Sequence, residues 1–338
     1  MSVALVTGAT GLVGSHIVDR LLADGWSVRA LARSPERAQS MLPHGVQVIR
    51  GDVLDEASFA RAATDAHVIF HAAGNVIARG GWDAYRVTNV EGTRNAIMAA
   101  ERSRARLLHL SSVAVYGPKG RYEAVKRGER TDESTMLAPL RGNAYYARSK
   151  RESEALVLDA HRQGRIWGTS VRPDVVYGPR DRQFVPRMAM FVRRGVIPLI
   201  HGGRSIMAIV HAANVADGAV RAATMDIAGG KAYNLANDYD VSVRRFFELA
   251  GQGLDRTTLF IPLPMWAARN ALRGIKAVAR AVSGGRFSMV SSSALDFMSQ
   301  DNPFSSERAR KELGWSPGVR PEAGIPDAFR WWREAARK

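Results

Sequence analysis

The sequence predicts an α/β protein built on a doubly wound parallel sheet, with any second domain interleaved with the first. Three observations carry this. An apolar run at residues 3–6 is followed by Gly8-x-x-Gly11-x-x-Gly14 and then by Val13, Ile17, Val18, Leu21 and Leu22 on one helical side. Short apolar strands then alternate with helical patterns as far as residue 171. At 338 residues, 46% hydrophobic and 24% charged, the chain is long enough to bury such a sheet.

Strand, glycine turn and helix is the arrangement that binds a dinucleotide, the Rossmann pattern. Gly8 allows the sharp turn, Gly11 lets backbone approach a pyrophosphate, and Gly14 lets the helix pack close to the strand. The helix N-terminus offers N–H groups and a positive dipole end to phosphates. Residues 26–32 are the second strand. An acid near its end would hydrogen-bond the adenosine ribose, but that slot falls at Ala32, and Arg33 follows. A guanidinium there grips a 2′-phosphate, so NADP is favoured and NAD is the alternative; Arg37 is placed to assist. Residues 46–49 form the third strand, and Asp52, just beyond it, is positioned to accept from the adenine amino group.

The fourth strand, 67–70, ends in His71-Ala72-Ala73-Gly74, whose small residues leave room for ribose and pyrophosphate. His71 reads as a structural histidine, with a base as the sharper alternative. Asn89 precedes a helix running to Ser103 and reads as a brace for neighbouring strands. The fifth strand, 106–110, leads into Ser111 and Ser112, in the crevice where open α/β sheets bind ligands. A polar connection at 118–143 flanks the expected site. A long helix then opens at Tyr145-Tyr146 and runs to Arg162, and Tyr146 and Lys150, four apart, share one face of it. Residues 167–171 are the sixth strand, followed by Arg172-Pro173 and Tyr177-Gly178-Pro179. Beyond this the alternation weakens. Strands are expected at 207–210 and 232–235, and helices at 215–224, 244–250, 307–317 and 328–332.

No cysteine is present, which excludes disulfides, thiolate metal sites and thiol catalysis; no metal site is expected. Nothing resembles a signal peptide or a membrane-spanning run, so a cytoplasmic location is expected. The net charge is +16, from 48 Lys+Arg against 32 Asp+Glu. Such a surface suits an anionic partner, unless it reflects a general bias toward arginine. The basic residues are scattered and no nucleic-acid module is present, so nucleic acid is not an expected partner. Residues 263–282 place Leu272, Ile275, Ala279 and Val282 on one helical face and Arg269, Arg273, Lys276 and Arg280 on another. This basic amphipathic helix either packs in the core or makes peripheral contact with an anionic membrane. The other expected partners are a small-molecule substrate and a second copy in a homodimer.

The ordered set Thr7-Gly-Ala-Thr-Gly-Leu-Val-Gly14, Gly51-Asp-Val53, His71-Ala-Ala73, Asn89-Val-x-Gly-Thr93, residues 111–117, Tyr146-x-x-x-Lys150, Arg172-Pro173, Tyr177-Gly-Pro179 and residues 307–317 resembles the extended short-chain dehydrogenase/reductase family over almost the whole chain. The branch it is most similar to contains steroid dehydrogenases and dihydroflavonol-reductase-like enzymes. The resemblance implies coenzyme contacts from Gly8, Thr10, Gly11, Leu12, Val13, Gly14, Arg33, Asp52, Val53, Ala72, Ala73, Tyr146, Lys150, Pro173 and Val176. It also implies a smaller, interleaved C-terminal substrate domain, with 1–180 and returning segments near 205–236 for the dinucleotide and mainly 181–338 for substrate, and active-site roles for Ser112, Tyr146 and Lys150. Those roles make chemical sense. A free phenol, with a pKa of about 10, is a poor base near neutrality, and a neighbouring ammonium favours the phenolate. Ser112 would donate to the substrate oxygen as charge develops. The implied activity is NADP-dependent interconversion of a ketone and a secondary alcohol on an apolar or lipid-like substrate; the alternative is a nucleotide-sugar epimerase or dehydratase with tightly held NAD. Where the family commonly has Asp, this chain has Asn214, expected to be structural.

Overall fold

The computed structural model describes residues 2–77, 80–117, 129–236, 239–268, 270, 273 and 297–336. In chain order the elements are β1 (Val3–Thr7), α1 (Leu12–Ala23), β2 (Ser27–Ala32), α2 (Pro35–Gln39), β3 (Gln47–Arg50), α3 (Glu56–Ala63), β4 (Val68–His71), α4 (Gly81–Tyr85), a π-helical turn (Arg86–Glu91), α5 (Gly92–Ser103), β5 (Arg106–Leu110), a 3₁₀ turn (Val113–Tyr116) and α6 (Tyr145–Arg162). There follow β6 (Gly168–Pro173), β7 (Val175–Tyr177), α7 (Phe184–Arg193), β8 (Val196–Ile200), β9 (Ile209–His211), α8 (Ala212–Thr224), β10 (Ala232–Leu235), α9 (Val243–Leu254), β11 (Leu259–Leu263), α10 (Glu307–Leu313) and α11 (Pro321–Ala335).

The main sheet has seven strands in the order β10-β6-β5-β4-β1-β2-β3, and every pairing in it is parallel. Side chains alternate between two helical layers, as a pleated strand requires. Ala4 and Val6 face a core with Val13, Ile17 and Leu21 of α1 and Val215 and Ala219 of α8. Leu5 faces the opposite core, with Phe59 of α3, Ala96 and Ile97 of α5 and Val157 of α6. The strand order reverses between β1 and β4, the switch point at which ligands bind in open sheets.

The chain divides into two compact units, residues 1–176, 210–238 and 303–319 in the first and 177–209, 239–302 and 320–338 in the second. The segment 303–319 was read with the substrate domain, but it belongs to the first unit. The reason is packing: Leu313 and Trp315 are buried in the core beside α8, and the Trp315 indole donates to the Asn214 carbonyl at 2.9 Å. Asn214 also exchanges two hydrogen bonds with Val319, so its role is structural.

Several elements depart from the periodicity reading. A π-helical turn runs directly into α5, and α4 precedes it. In the second unit, α7 and the parallel pair β8–β11 lie where the sequence showed no clear pattern. The amphipathic helix expected at 263–282 falls mostly outside the described residues. No helix among the described residues is long and apolar enough to cross a membrane.

Candidate active site

The first unit builds its site at the carboxyl ends of β1, β4 and β5. At the end of β1 the chain turns through Gly8, whose φ is +66°. A Cβ on Gly8 would lie 2.7 Å from the Ala73 nitrogen and 2.8 Å from the Ala72 carbonyl carbon. One on Gly14 would lie 2.2 Å from the Gly8 oxygen. These glycines therefore hold the β1 turn, the start of α1 and the β4 loop at backbone contact. Gly11 caps α1 without a side chain, so the first N–H groups of the helix have no side-chain acceptor, as an anion-binding turn requires. Thr10, Leu12 and Val13 lie within this turn, and Val13 is buried. Thr7 Oγ1 accepts from the Ala73 N–H at 3.2 Å, which fixes the Ala72–Ala73 edge.

Arg33, at the end of β2, is exposed, with no hydrogen-bond partner among the described residues. Asp52 accepts from the Leu54 N–H at 3.0 Å and is held by Ser58. Val53 packs against Gly92 and the core beneath α3 and α5. Pro173 is buried at the end of β6, and Val176 packs on the core shared with α1.

The Ser112 hydroxyl lies close enough to the Tyr146 phenol to favour its ionised form. Ser112 Oγ also accepts from the Ala114 N–H at 3.2 Å, capping the 3₁₀ turn. That leaves its O–H to donate. Ser111, by contrast, is buried with its hydroxyl unpartnered. Lys150 lies one helical turn beyond Tyr146 and is buried. Its Nζ donates to the Leu110 carbonyl at 2.6 Å. A Cβ on Gly74 would lie 3.2 Å from that Nζ and 3.3 Å from Asn89 Oδ1.

The expected lowering of the Tyr146 phenol by the Lys150 ammonium is not what these surroundings produce. Burial pushes the phenol above its ordinary value, the nearby Ser112 hydroxyl opposes this, and Tyr85 adds to it. Burial is also what lowers Lys150, to about 8, with Glu154 opposing. Desolvation disfavours the charged form of each group, so the acid and the base move in opposite directions. The pair as folded is a protonated phenol beside an ammonium that is readily neutralised.

His71 sits beneath this site as a structural residue. Its Nδ1 is 2.9 Å from Thr7 Oγ1, its ring stacks on His109 with centroids 6.2 Å apart, and His109 Nδ1 is 3.0 Å from Ser170 Oγ. The β-register aligns Thr7, His71, His109 and Ser170 across four strands. Burial, with the Lys150 charge second, lowers His71 to about 3, so it is neutral at physiological pH.

Tyr85 and Glu154 are not singled out by spacing, and Asn89 reads in the sequence only as a brace. Tyr85 of α4 places its ring 6.2 Å from Tyr146; the aromatic pair Trp82 and Tyr85 just ahead of Asn89 was the available signal. Asn89 is a hub within the π turn. It accepts from the Asn75 N–H at 2.6 Å and donates to the Asn75 carbonyl at 3.0 Å and to Ser149 Oγ at 2.9 Å. Glu154 forms a two-pronged buried ion pair with Arg172, at 2.6 and 2.9 Å. Arg172 also donates to the Tyr116 hydroxyl at 2.8 Å, and Tyr116 donates to Asn234 at 2.9 Å. This chain of bonds ties α6 to β6, the 3₁₀ turn and β10. No cluster of three or more His, Asp or Glu among the described residues is placed to hold a metal.

The family model described as NAD dependent epimerase/dehydratase matches residues 4–236. The chain is 31% identical over 326 residues, 96% of its own length, to the 4-hydroxy-2-methyl-3-oxo-4-farnesyl-3,4-dihydroquinoline-1-oxide ketoreductase of Stigmatella aurantiaca, 95% of which is covered. It is 27% identical to the 2-alkyl-3-oxoalkanoate reductase of Shewanella oneidensis, over 96% of this chain and 85% of that one. Among solved structures, UDP-glucuronic acid 4-epimerase from Bacillus cereus in complex with NAD has a TM-score of 0.71 at 19% identity, over 98% of this chain and 99% of that one. At that identity the likeness is one of fold.

Proposed function

Because the chain belongs to the NAD dependent epimerase/dehydratase family, the extended type of short-chain dehydrogenase/reductase, we propose that it reduces a ketone, or oxidises the matching secondary alcohol, on an apolar, lipid-like substrate with NADP. The observation that carries this reading is the Ser112 hydroxyl beside the Tyr146 phenol, at the same sheet end as the glycine turn. The two relatives at the highest identity reported above are both named as reductases of ketones bearing farnesyl or alkyl groups.

NADPH, when bound, supplies the hydride. The glycine turn and the first N–H groups of α1 hold its pyrophosphate, and Ala72 and Ala73 leave room for the adjoining ribose. Arg33 pairs with the 2′-phosphate. Ser112 donates a hydrogen bond to the substrate oxygen, and Tyr146 gives that oxygen its proton as negative charge develops. A phenol raised above its ordinary pKa is protonated at neutral pH, which suits the reducing direction. Lys150 holds a ribose hydroxyl and supplies a positive charge near the phenol. The epimerase or dehydratase reading is supported by the likeness to sugar-nucleotide enzymes and would need no external reductant.

Tyr146→Phe should lower kcat for NADPH-dependent reduction of 2-alkyl-3-oxoalkanoates about a thousandfold, within the usual range for loss of a general acid, while coenzyme affinity is kept. Unchanged turnover would overturn the assignment. NAD retained through purification, with no NADPH oxidation by any ketone, would favour the epimerase reading.

A further inference from the structure

We infer that the outward face of the β8–β11 sheet, in the second unit, docks on an anionic lipid bilayer. This goes beyond the proposed chemistry and does not depend on it.

The first observation is a sheet with apolar residues on both faces. β8 is Val196-Ile-Pro-Leu-Ile200 and β11 is Leu259-Phe-Ile-Pro-Leu263. They pair in parallel, with Leu259 opposite Val196 and Ile261 opposite Pro198. Ile197 and Leu199 point inward and are buried. By strand alternation Val196 and Pro198 point outward, and Val196 is 43% exposed. On β11, Leu259 is 62% and Ile261 46% exposed. A sheet with one solvated face ordinarily carries polar residues there. Here every outward position is aliphatic or proline. Met190, on the helix that precedes β8, and Trp266, just beyond β11, are also exposed, Trp266 by 69%.

The second observation is charge. The sequence has no Asp or Glu from 182 to 216, but Arg182, Arg187, Arg193, Arg194 and Arg204. It has none from 256 to 295, but Arg256, Arg269, Arg273, Lys276, Arg280 and Arg286. Each strand of the exposed sheet therefore lies within a stretch of sequence whose charged residues are all basic. Arg193, Arg194 and Arg256 are exposed. Asp255, the acid next in sequence, is paired with Arg333.

Exposed apolar surface on strands whose flanking segments carry exposed arginines fits the boundary between anionic headgroups and acyl chains, with aliphatic groups below and guanidinium groups at the phosphates. A second copy of this chain fits poorly, because it would bring two positive faces together. Single-stranded nucleic acid would want aromatic platforms, and this face is aliphatic.

The test is co-sedimentation with vesicles of phosphatidylglycerol and phosphatidylcholine, against phosphatidylcholine alone. The protein should pellet with the former, and less at high salt. Replacing Arg193 and Arg194 with Ser should weaken binding roughly fivefold per arginine. Leu259→Asp with Ile261→Asp should abolish it. All these positions are exposed, so circular dichroism should show the variants folded. Met225→Asp with Ile227→Asp, at exposed positions in the first unit, should bind as the parent does. The proposal fails if the parent stays in the supernatant with phosphatidylglycerol vesicles at low salt. It fails equally if the β8–β11 variants bind as the parent does, or if both pairs of variants lose binding alike. Loss of vesicle binding on adding oligonucleotide, with saturable oligonucleotide binding, would assign the face to nucleic acid and overturn it. Self-association abolished by the Leu259 and Ile261 changes, without lipid binding, would assign it to a second copy.

Discussion

Arg33 and Lys150 are two cations treated in opposite ways. Lys150 is buried, donates to Leu110 and loses basicity to desolvation. Arg33 is exposed at the end of β2 with nothing to hold. An arginine at that strand end is a waiting partner for a doubly charged phosphate, which it can grip through two parallel hydrogen bonds. Hydrogen bonds to charged groups contribute about 1.5–3 kcal/mol each. Arg33→Ala should therefore weaken NADP by roughly ten- to a hundredfold and leave NAD within about twofold, read by quenching of protein fluorescence on coenzyme titration. Equal losses for both coenzymes would remove the 2′-phosphate role. The serines teach a similar lesson. Adjacent in sequence, they are separated by the pleat: Ser111 points into the interior, and Ser112 reaches Tyr146.

The glycine turn is the element on which the site rests, and its tolerances are backbone tolerances. A methyl on Gly14 meets the Gly8 oxygen at 2.2 Å, and neither partner is a side chain that can swing away. Gly14→Ala should destabilise the protein by about 3 kcal/mol through forced overpacking, seen as a lower urea midpoint, and should abolish coenzyme binding. A variant that melts and binds like the parent would show that α1 can slide outward at little cost. This element was legible because its constraint is local: three glycines at fixed spacing between an apolar run and a helical stripe. So was the Tyr146–Lys150 helix, whose spacing is one turn. The hub at Asn89 was legible only as a brace, because its partners Asn75 and Ser149 lie 14 and 60 residues away. β8 and β11 escaped the periodicity reading for a different reason. Period-2 alternation signals a strand only when one face is polar, and theirs is apolar on both. The direction of the Tyr146 shift is not legible in the sequence, which shows the ammonium four residues on but not the burial that raises the phenol.

At the scale of the whole molecule, buried histidines set how the protein meets acid. His71 and His211 are each lowered to about 3, chiefly by burial. Between pH 6.5 and 3 the unfolded chain binds protons that the folded chain refuses, so stability is full above pH 6.5 and falls as pH drops through that window. From pH 7 to pH 5 each histidine should remove about 2 kcal/mol. Urea unfolding at the two pH values should show a clearly lower midpoint at pH 5; equal midpoints would mean that these rings are protonated in the native state. The first unit has a further property that follows from its make-up. Trp315 fills its core and is anchored to Asn214 across 101 residues of chain, and the Ser305 carbonyl accepts from Asn234. A nascent polypeptide emerging from the ribosome thus carries its entire glycine turn and phenol long before that core can close. The turn cannot rest on a closed core until residues 303–319 have been made and have packed against α8.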